Sequence, residues 1–214
     1  MIDYIIRLMP SMLSGLQTTL EIFAITLIVS IPLGILVAIG RQSKIKPLVA
    51  VLQVYIWVMR GTPLLLQIVF IFFGLPIIGI TFDRYPAALI AFILNYAAYF
   101  GEIFRGGIES IDKGQYDAAK VLGFTPAKTF KRIILPQMIK IVLPSIANEV
   151  ITLVKDTALV YVVGLGELLR AGKIASNRDA SLTPLVMVGV LYLVLTALLT
   201  VVFQKLEEKY AYYQ

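Results

Sequence analysis

The stretch that says most about this 214-residue chain is Gln115-Tyr116-Asp117-Ala118-Ala119-Lys120-Val121-Leu122-Gly123. It is a polar, small-residue interruption of an otherwise apolar sequence, and after nine intervening residues the chain reads Ile133-Ile134-Leu135-Pro136. Apolar positions recur at helical spacing before Gly123, a residue type that often ends helices in the left-handed conformation. Thr125-Pro126 then supplies the residues of a helix N-cap and first helical position. The pattern therefore predicts two short helices that meet at Gly123.

The rest of the chain has the composition of a membrane protein. It is 59% hydrophobic and 15% charged, with a mean hydropathy of +0.88, whereas a soluble domain has about 25% charged residues. In so apolar a chain, the net charge of +6 indicates basic loops at a membrane rather than nucleic-acid binding. Cysteine and histidine are both absent, which removes thiol chemistry, the commonest general base and the commonest metal ligand. We therefore expect no catalytic residue and no metal site.

Five stretches are long and apolar enough to cross a bilayer, which takes about 20 residues. They cover residues 13–40, 48–80, 86–108, 133–163 and 182–204. The second is broken at Arg60-Gly61-Thr62-Pro63, and Pro136 and Pro144 predict kinks in the fourth. We expect residues 1–10 to form a separate interfacial helix that ends at Pro10, without the basic start of a signal peptide. The whole chain, 1–214, is expected to be one transmembrane domain.

Lysines and arginines at or between the span ends are unevenly distributed. Twelve lie after the first span, around the third-to-fourth connection and at the C-terminus, whereas five lie on the other side. The positive-inside rule then places the N-terminus outside and the C-terminus in the cytoplasm. The connection 115–131 is therefore expected to be cytoplasmic.

The register of Asp117-Ala118-Ala119, Gly123 and Ile133-x-Leu135-Pro136 closely resembles the "EAA…G…I-x-L-P" loop of ABC-importer permeases. Asp117 stands where that family usually has Glu. Three further blocks resemble permeases of polar amino acid importers, the histidine/arginine/glutamine group, although Gly101 replaces a common Ala. The blocks are Arg60-Gly61-Thr62-Pro63-Leu64-Leu65, residues 98–115, and Asn148-Glu149 followed by Lys155-Asp156-Thr157.

This resemblance implies an all-α polytopic membrane protein of five transmembrane helices. It implies the type I ABC-importer permease fold, with a cytoplasmic coupling helix between spans 3 and 4. The resemblance further implies the multi-pass location of these importers in the prokaryotic cell membrane. It assigns the coupling to an ATPase to Tyr116, Asp117, Ala118, Ala119 and Gly123.

The same resemblance implies partners. A dimer of separate ATPase subunits would carry ATP and Mg, so this chain would bind no cofactor of its own. The stretch Gly166–Ile174 is one residue too long for a phosphate-binding loop and lacks its hydroxyl residue. Five spans are few to enclose a pathway, so we expect a second permease copy, with a homodimer favoured over a heterodimer. An extracytoplasmic amino-acid-binding protein would deliver a small-molecule amino acid.

Polar and charged residues inside the spans are the substrate-binding candidates, since each charge there costs about 2.5–3.5 kcal/mol on insertion scales. Positions three and four apart share a helix face, which predicts one shared face in each of two spans. In the third span it groups Asn95, Tyr99 and Glu102. In the fourth it groups Asn148, Thr152 and Lys155, with Glu149 and Asp156 on the adjacent stripe. Thr62-Pro63 has the residues of a half-helix start, a feature that binds anionic groups in transporters. The candidates are Thr62, Asn95, Tyr99, Glu102, Glu149, Thr152, Lys155 and Asp156.

Structural alternatives exist for several of these residues. Lys155 could pair with a neighbouring carboxylate, Glu102 could be solvated beside Arg105, and Arg60 could cap the broken helix or pair across a subunit interface. The intramembrane carboxylates exceed the cations by one if all are ionised, which favours a basic amino acid as substrate. A different class of function also fits: an ion-coupled transporter or channel that relays protons through the acidic groups.

Overall fold

The computed structural model describes residues 2–210, and these residues contain helices and connections but no strand. The α-helices, in chain order, are α1 (Ile2–Arg41), α2 (Lys46–Gly61), α3 (Leu64–Val69), α4 (Arg84–Glu109), α5 (Lys113–Val121), α6 (Pro126–Thr129), α7 (Leu135–Asp156), α8 (Leu168–Asp179) and α9 (Thr183–Tyr210). Turns of other helical types extend α3 to Ile78, join α6 to α7, and extend α7 to Val163.

Four segments of this part of the chain are long and apolar enough to cross a membrane: α1, α4, α6 to the end of the α7 extension, and α9. The pair formed by α2 and the extended α3 passes the same test but is bent by 106°. The structure therefore has four spans, or five if the bent pair counts as one, in agreement with the five apolar stretches of the sequence.

The expected helix end at Pro10 is wrong, because α1 runs through both Pro10 and Pro32 without interruption. A proline removes one backbone hydrogen bond, and packing compensates here. Leu8 and Met12, on either side of Pro10, are buried against Leu168 of α8 and its neighbours. The N-terminal turns are thus held to the bundle by α8, a helix that the sequence analysis did not anticipate.

Small residues allow α1 and α4 to pack closely along their length. Buried small positions of α1 include Thr26, Ser30 and Gly34, whereas Gly15 and Thr19 lie against Glu167 and Leu168 instead. A Cβ added at Gly34 would lie 2.6 Å from Phe100 Cβ, a distance that real Cβ atoms do not show. Since apolar surface alone cannot drive helix association in lipid, such backbone proximity is a main source of helix–helix attraction there. It fixes α4, which carries much of the site described below.

A π-helical turn precedes two of the Leu-Pro pairs of the chain, Leu75-Pro76 and Leu135-Pro136. The turns cover Phe70–Gly74 and Phe130–Ile134, and Leu75 and Leu135 donate their N–H groups to Phe70 O and Phe130 O, five residues back. A proline ring clashes with the carbonyl four residues before it, and the wider turn relieves the clash at Pro76 and Pro136. The second of these turns connects α6 to α7.

The α8 helix is fixed by a buried carboxylate. Glu167 is 0% exposed and caps α8 by accepting hydrogen bonds from the N–H groups of Leu169 (2.5 Å) and Arg170 (2.6 Å). The Tyr192 hydroxyl of α9 donates a third, at 3.2 Å. Gly15 makes room for this junction, because a Cβ there would lie 2.9 Å from Leu168 Cα. The cap therefore ties α8 to both α1 and α9.

Candidate functional site

A cavity of about 570 Å³ opens between the α2–α3 break, α4 and α7. The break supplies Arg60 and the chain from Gly61 to Leu65, α4 supplies three side chains, and α7 with its extension supplies four. Those from α4 are Asn95, Tyr96 and Tyr99, and those from α7 and its extension are Glu149, Thr152, Asp156 and Leu159. The cavity thus lies where the Arg60–Leu65 break, the third predicted span and the polar part of the fourth predicted span come together.

The α7 wall of the cavity is acidic. Glu149, Thr152 and Asp156 are spaced three and four residues apart, so they lie on one face of the helix, and all are half-buried. Asp156 is held by the Tyr96 hydroxyl, which donates a hydrogen bond of 2.8 Å to Oδ2. Tyr96 itself is buried and stacks on Phe92. This wall can therefore accept hydrogen bonds from a cationic group at a fixed position.

Arg60 forms the opposite, basic side of the cavity. Its guanidinium carbon lies 5.0 Å from the centre of the Tyr99 ring, a cation–π arrangement. Its Nη1 lies 3.9 Å from Glu102 Oε2. Glu102 is held much more tightly by Arg105, whose Nε and Nη2 donate to it at 2.9 and 2.8 Å. Arg41, at the end of α1, approaches the same carboxylate at 3.8 Å.

Amide side chains stabilise the α2–α3 break. Asn95 donates through Nδ2 to Met59 O at 2.8 Å and to Gln67 Oε1 at 3.1 Å. Gln67 donates in turn to Met59 O and to Thr62 Oγ1, both at 2.9 Å. Carbonyls that lose their helical partners at a break need such donors. Asn95 is therefore engaged with the backbone, although it also lines the cavity.

The half-helix start predicted at Thr62-Pro63 is wrong in its details. Pro63, not Thr62, occupies the N-cap position of α3, and α3 is only six residues long. Thr62 instead ends α2, and its hydroxyl donates to Val58 O at 2.8 Å. Proline has no side-chain acceptor for a cap, so the break is held from outside by Gln67 and Asn95.

Six of the eight predicted substrate-binding residues line the cavity: Thr62, Asn95, Tyr99, Glu149, Thr152 and Asp156. Glu102 lies outside the lining and beside Arg105, as the alternative expected, but its side chain is only 17% exposed and is paired with Arg105 rather than solvated. Lys155 is exposed and also lies outside the lining, and no carboxylate of residues 2–210 is within salt-bridge distance of it.

Sequence reasoning missed three residues of the site. Tyr96 and Gln67 carry polar atoms inside apolar helices, a signal that was available from the sequence. Arg60 was recognised as an intramembrane charge but was interpreted as a cap of the broken helix or a partner across a subunit interface, rather than as a substrate contact.

The residues expected to couple to an ATPase form two short helices, α5 and α6, as predicted. Asp112 caps α5 by accepting from Gly114 N at 2.6 Å, and Thr125 caps α6 by accepting from Lys128 N at 3.3 Å. Gly123 has a φ of +74°. Phe124 N donates to Ala119 O and Gly123 N to Lys120 O, the pair of bonds that defines a glycine-ended helix.

The predicted coupling residues differ in their exposure. Tyr116, Asp117 and Ala118 are exposed, whereas Ala119 is 1% exposed and packs inwards. The expectation that both alanines face a partner is therefore wrong for Ala119. The most exposed large apolar side chains at this surface are Val121 and Leu122, at 87% and 71% exposure. Contiguous exposed apolar side chains rimmed by polar ones are typical of protein–protein contact sites, which makes this surface the candidate contact for a partner.

Catalytic and metal-binding chemistry was not expected from the composition. Within residues 2–210, no group of three or more carboxylates is placed to hold a metal ion.

Comparisons with known proteins agree with this arrangement. Residues 30–212 match the family described as the binding-protein-dependent transport system inner membrane component. The chain is similar to the arginine transport system permease protein ArtQ of Bacillus subtilis (strain 168), with 41% identity over 94% of this chain and 92% of the relative. It is also 35% identical to a putative glutamine transport system permease protein GlnP of Rickettsia conorii (strain ATCC VR-613 / Malish 7), over 98% of both chains.

A solved structure has the same fold. It is a crystal structure of an amino acid ABC transporter with histidines, 33% identical, with a TM-score of 0.89 over 96% of this chain and 97% of the other. The resemblance read from the sequence is thus confirmed, and so is the type I permease fold. The chain is a multi-pass inner-membrane subunit and not an enzyme, since the ATPase of such transporters is a separate subunit. The chain belongs to the family of binding-protein-dependent transport system inner membrane components, as an amino acid ABC transporter permease.

Proposed function

We propose that this permease imports a basic amino acid, arginine, histidine or lysine, by alternating access driven by ATP hydrolysis on its partner. The observation that carries the proposal is the charge of the cavity lining, in which two carboxylates, Glu149 and Asp156, face one arginine, Arg60. If all three are ionised, the lining has one negative charge in excess. A basic amino acid carries one positive charge in excess, so it neutralises the cavity, whereas glutamine or glutamate does not.

Charge matters more in this cavity than at an aqueous surface. Burial within a bilayer makes an unpaired charge expensive, and a carboxylate pair can hold an ammonium or, in bidentate fashion, a guanidinium. Tyr96 keeps Asp156 in place for such an interaction. The names of the relatives mention both arginine and glutamine, so the cavity charge is the basis for preferring the basic substrate.

Permeases of this family work with ATPase subunits and a substrate-binding protein, and they pair with a second permease. We propose that the second permease is an identical copy and that ATP and Mg are bound by the ATPase subunits alone. The ATPase would dock on the α5–α6 surface, where Val121 and Leu122 are exposed. Docking there requires the orientation given by the excess of basic residues: N-terminus outside, C-terminus in the cytoplasm.

An ion-coupled mechanism is the alternative that the sequence left open. A proton-coupled transporter would need the intramembrane carboxylates but no glycine-ended helix pair with exposed apolar side chains. The family assignment and this surface both favour ATP-driven transport.

The experiment that tests the substrate assignment is the substitution Glu149→Gln in the purified permease–ATPase complex. Removing one partner of a buried charge pair costs about 3–5 kcal/mol, which is more than a hundredfold in affinity. The concentration of arginine that half-maximally stimulates ATP hydrolysis should therefore rise by more than about a hundredfold. Any response to glutamine should change far less.

A matched control is Glu109→Gln, which removes a carboxylate that is 55% exposed and lies outside the cavity. This variant should keep the wild-type response to arginine. Equal losses for arginine and glutamine in Glu149→Gln would contradict a basic substrate, while leaving the amino acid permease assignment in place.

A further inference from the structure

The cavity needs a partner for the α-carboxylate of an amino acid, and Thr62 is not free to be that partner. Its hydroxyl already donates to Val58 O and accepts from Gln67 Nε2. The neighbouring wall of α7 is acidic and would repel a carboxylate. A carboxylate left unpaired in a desolvated cavity would prevent tight binding, so it needs a donor that is not already engaged.

Arg60 is the one cationic side chain among the described residues that line the cavity. It lies in the last turn of α2, and its side chain is 43% exposed although the residue is inside the apolar segment. Within residues 2–210 its guanidinium donates no hydrogen bond, because Glu102 at 3.9 Å is too distant to accept one. A guanidinium has five N–H donors in a planar fork, so Arg60 has donors to offer a ligand.

The surroundings of Arg60 fix the guanidinium without using its donors. The guanidinium carbon of Arg60 lies over the Tyr99 ring, 5.0 Å from its centre. Glu102 attracts it electrostatically, but the lone pairs of Glu102 are engaged by Arg105 at 2.8 and 2.9 Å. The fork is thus oriented by its neighbours and remains open towards the cavity.

We propose that Arg60 binds the α-carboxylate of the substrate and thereby selects amino acids over amines that carry the same cationic group without a carboxylate. This rests on the proposed function, because it takes the cavity as the amino acid site, and it adds the determinant for the other end of the substrate. The cationic end contacts Glu149 and Asp156, while the carboxylate receives two parallel hydrogen bonds from Arg60, the geometry that arginine favours.

The test compares L-arginine with agmatine, which is arginine without its carboxylate, by equilibrium binding to the permease–ATPase complex in lipid nanodiscs. The wild-type complex should bind arginine more tightly than agmatine by about 10- to 150-fold, the range for hydrogen bonds between charged groups. In Arg60→Gln the ratio should fall to about 1, because arginine loses its carboxylate partner and agmatine loses a repelling cation.

A matched control is Arg41→Gln. Arg41 lies 3.8 Å from the same Glu102 carboxylate, at nearly the same distance as Arg60, but it does not line the cavity. Its removal should leave the arginine-to-agmatine ratio at the wild-type value. A ratio that falls equally in both variants would show an indirect effect through Glu102 and overturn the proposal.

One other outcome would also overturn it. If Arg60→Gln retains the wild-type ratio, either because both affinities are unchanged or because both fall by the same factor, Arg60 does not bind the carboxylate. The proposed function fails separately, if the wild-type complex binds glutamine rather than arginine. In that case the affinity of glutamine is compared with that of 4-aminobutanamide, its decarboxylated form. A lower ratio of these two affinities in Arg60→Gln than in wild type would still support Arg60 as the carboxylate site.

Discussion

The substitution Gly34→Ala should weaken the packing of α1 against α4. The added Cβ would lie 2.6 Å from Phe100 Cβ and 3.0 Å from Gly101 N, whereas ordinary contact begins at 3.4 Å. The two helices would therefore have to separate locally by about 0.8 Å, the difference between the first and last of these distances. Neither obstacle is the end of a flexible side chain, so no rotamer change relieves the clash. Overpacking of this kind costs about 1–3 kcal/mol.

A glycine-to-alanine change also raises helix propensity, by about 1 kcal/mol, and the control must share that gain. Gly189, inside α9, has no atom within 4 Å of the position where a Cβ would be. Gly189→Ala therefore carries the propensity gain without the clash. The difference between the two variants isolates the packing term of about 1–3 kcal/mol.

The assay is the apparent melting temperature of the purified complex, followed by size-exclusion chromatography after heating. A difference of 1 kcal/mol shifts the melting temperature of a chain of this size by about 2–4 °C. Gly34→Ala should therefore melt about 2–12 °C below Gly189→Ala. If the two variants melt at the same temperature, close backbone approach does not determine how α1 packs on α4.

Two further predictions concern the ends of the bundle. Leu122→Glu adds a charge to a side chain that is 71% exposed at the α5–α6 surface, so it should abolish substrate-stimulated ATP hydrolysis without lowering the melting temperature, and normal stimulation would contradict docking at this surface. At the other end, hydrogen bonds from Arg178 and from the Tyr4 hydroxyl hold the pKa of the Asp179 carboxyl below its usual range. A lowered pKa stabilises the folded state above the ordinary aspartate pKa of about 3.9, and this contribution is lost as the pH falls through the folded-state pKa. Asp179→Asn should therefore melt below wild type at pH 7, with a difference that shrinks in strong acid, and a gap independent of pH would refute the role of its charge.

The spans were predictable because apolar length is set by the bilayer, and few other structures need so many consecutive apolar residues. The α8 helix was not, since Leu168–Asp179 is short and polar and its position depends on distant contacts of Leu168 with α1 and of Glu167 with α9. The end expected at Pro10 failed for a related reason: tertiary packing of Leu8 and Met12 overrides a local helix breaker.

Within the site, helical spacing grouped Thr152 with Lys155, whereas Thr152 lines the cavity with Glu149 and Asp156, the residues expected on the adjacent stripe. Successive positions on an α-helix point about 100° apart, so Asp156 lines the cavity while Lys155 does not. The same geometry separates exposed Ala118 from buried Ala119. Which member of such a pair faces inwards depends on the neighbouring helices, and a sequence pattern alone does not contain that information.

Substrate-stimulated ATP hydrolysis decides whether this permease carries a basic amino acid. The measurement uses the complex of permease, ATPase and binding protein in proteoliposomes, with each of the twenty amino acids in turn. The cavity charge predicts that arginine, histidine or lysine stimulates hydrolysis most strongly. Strongest stimulation by glutamate or glutamine, with little response to the basic amino acids, would contradict a basic substrate.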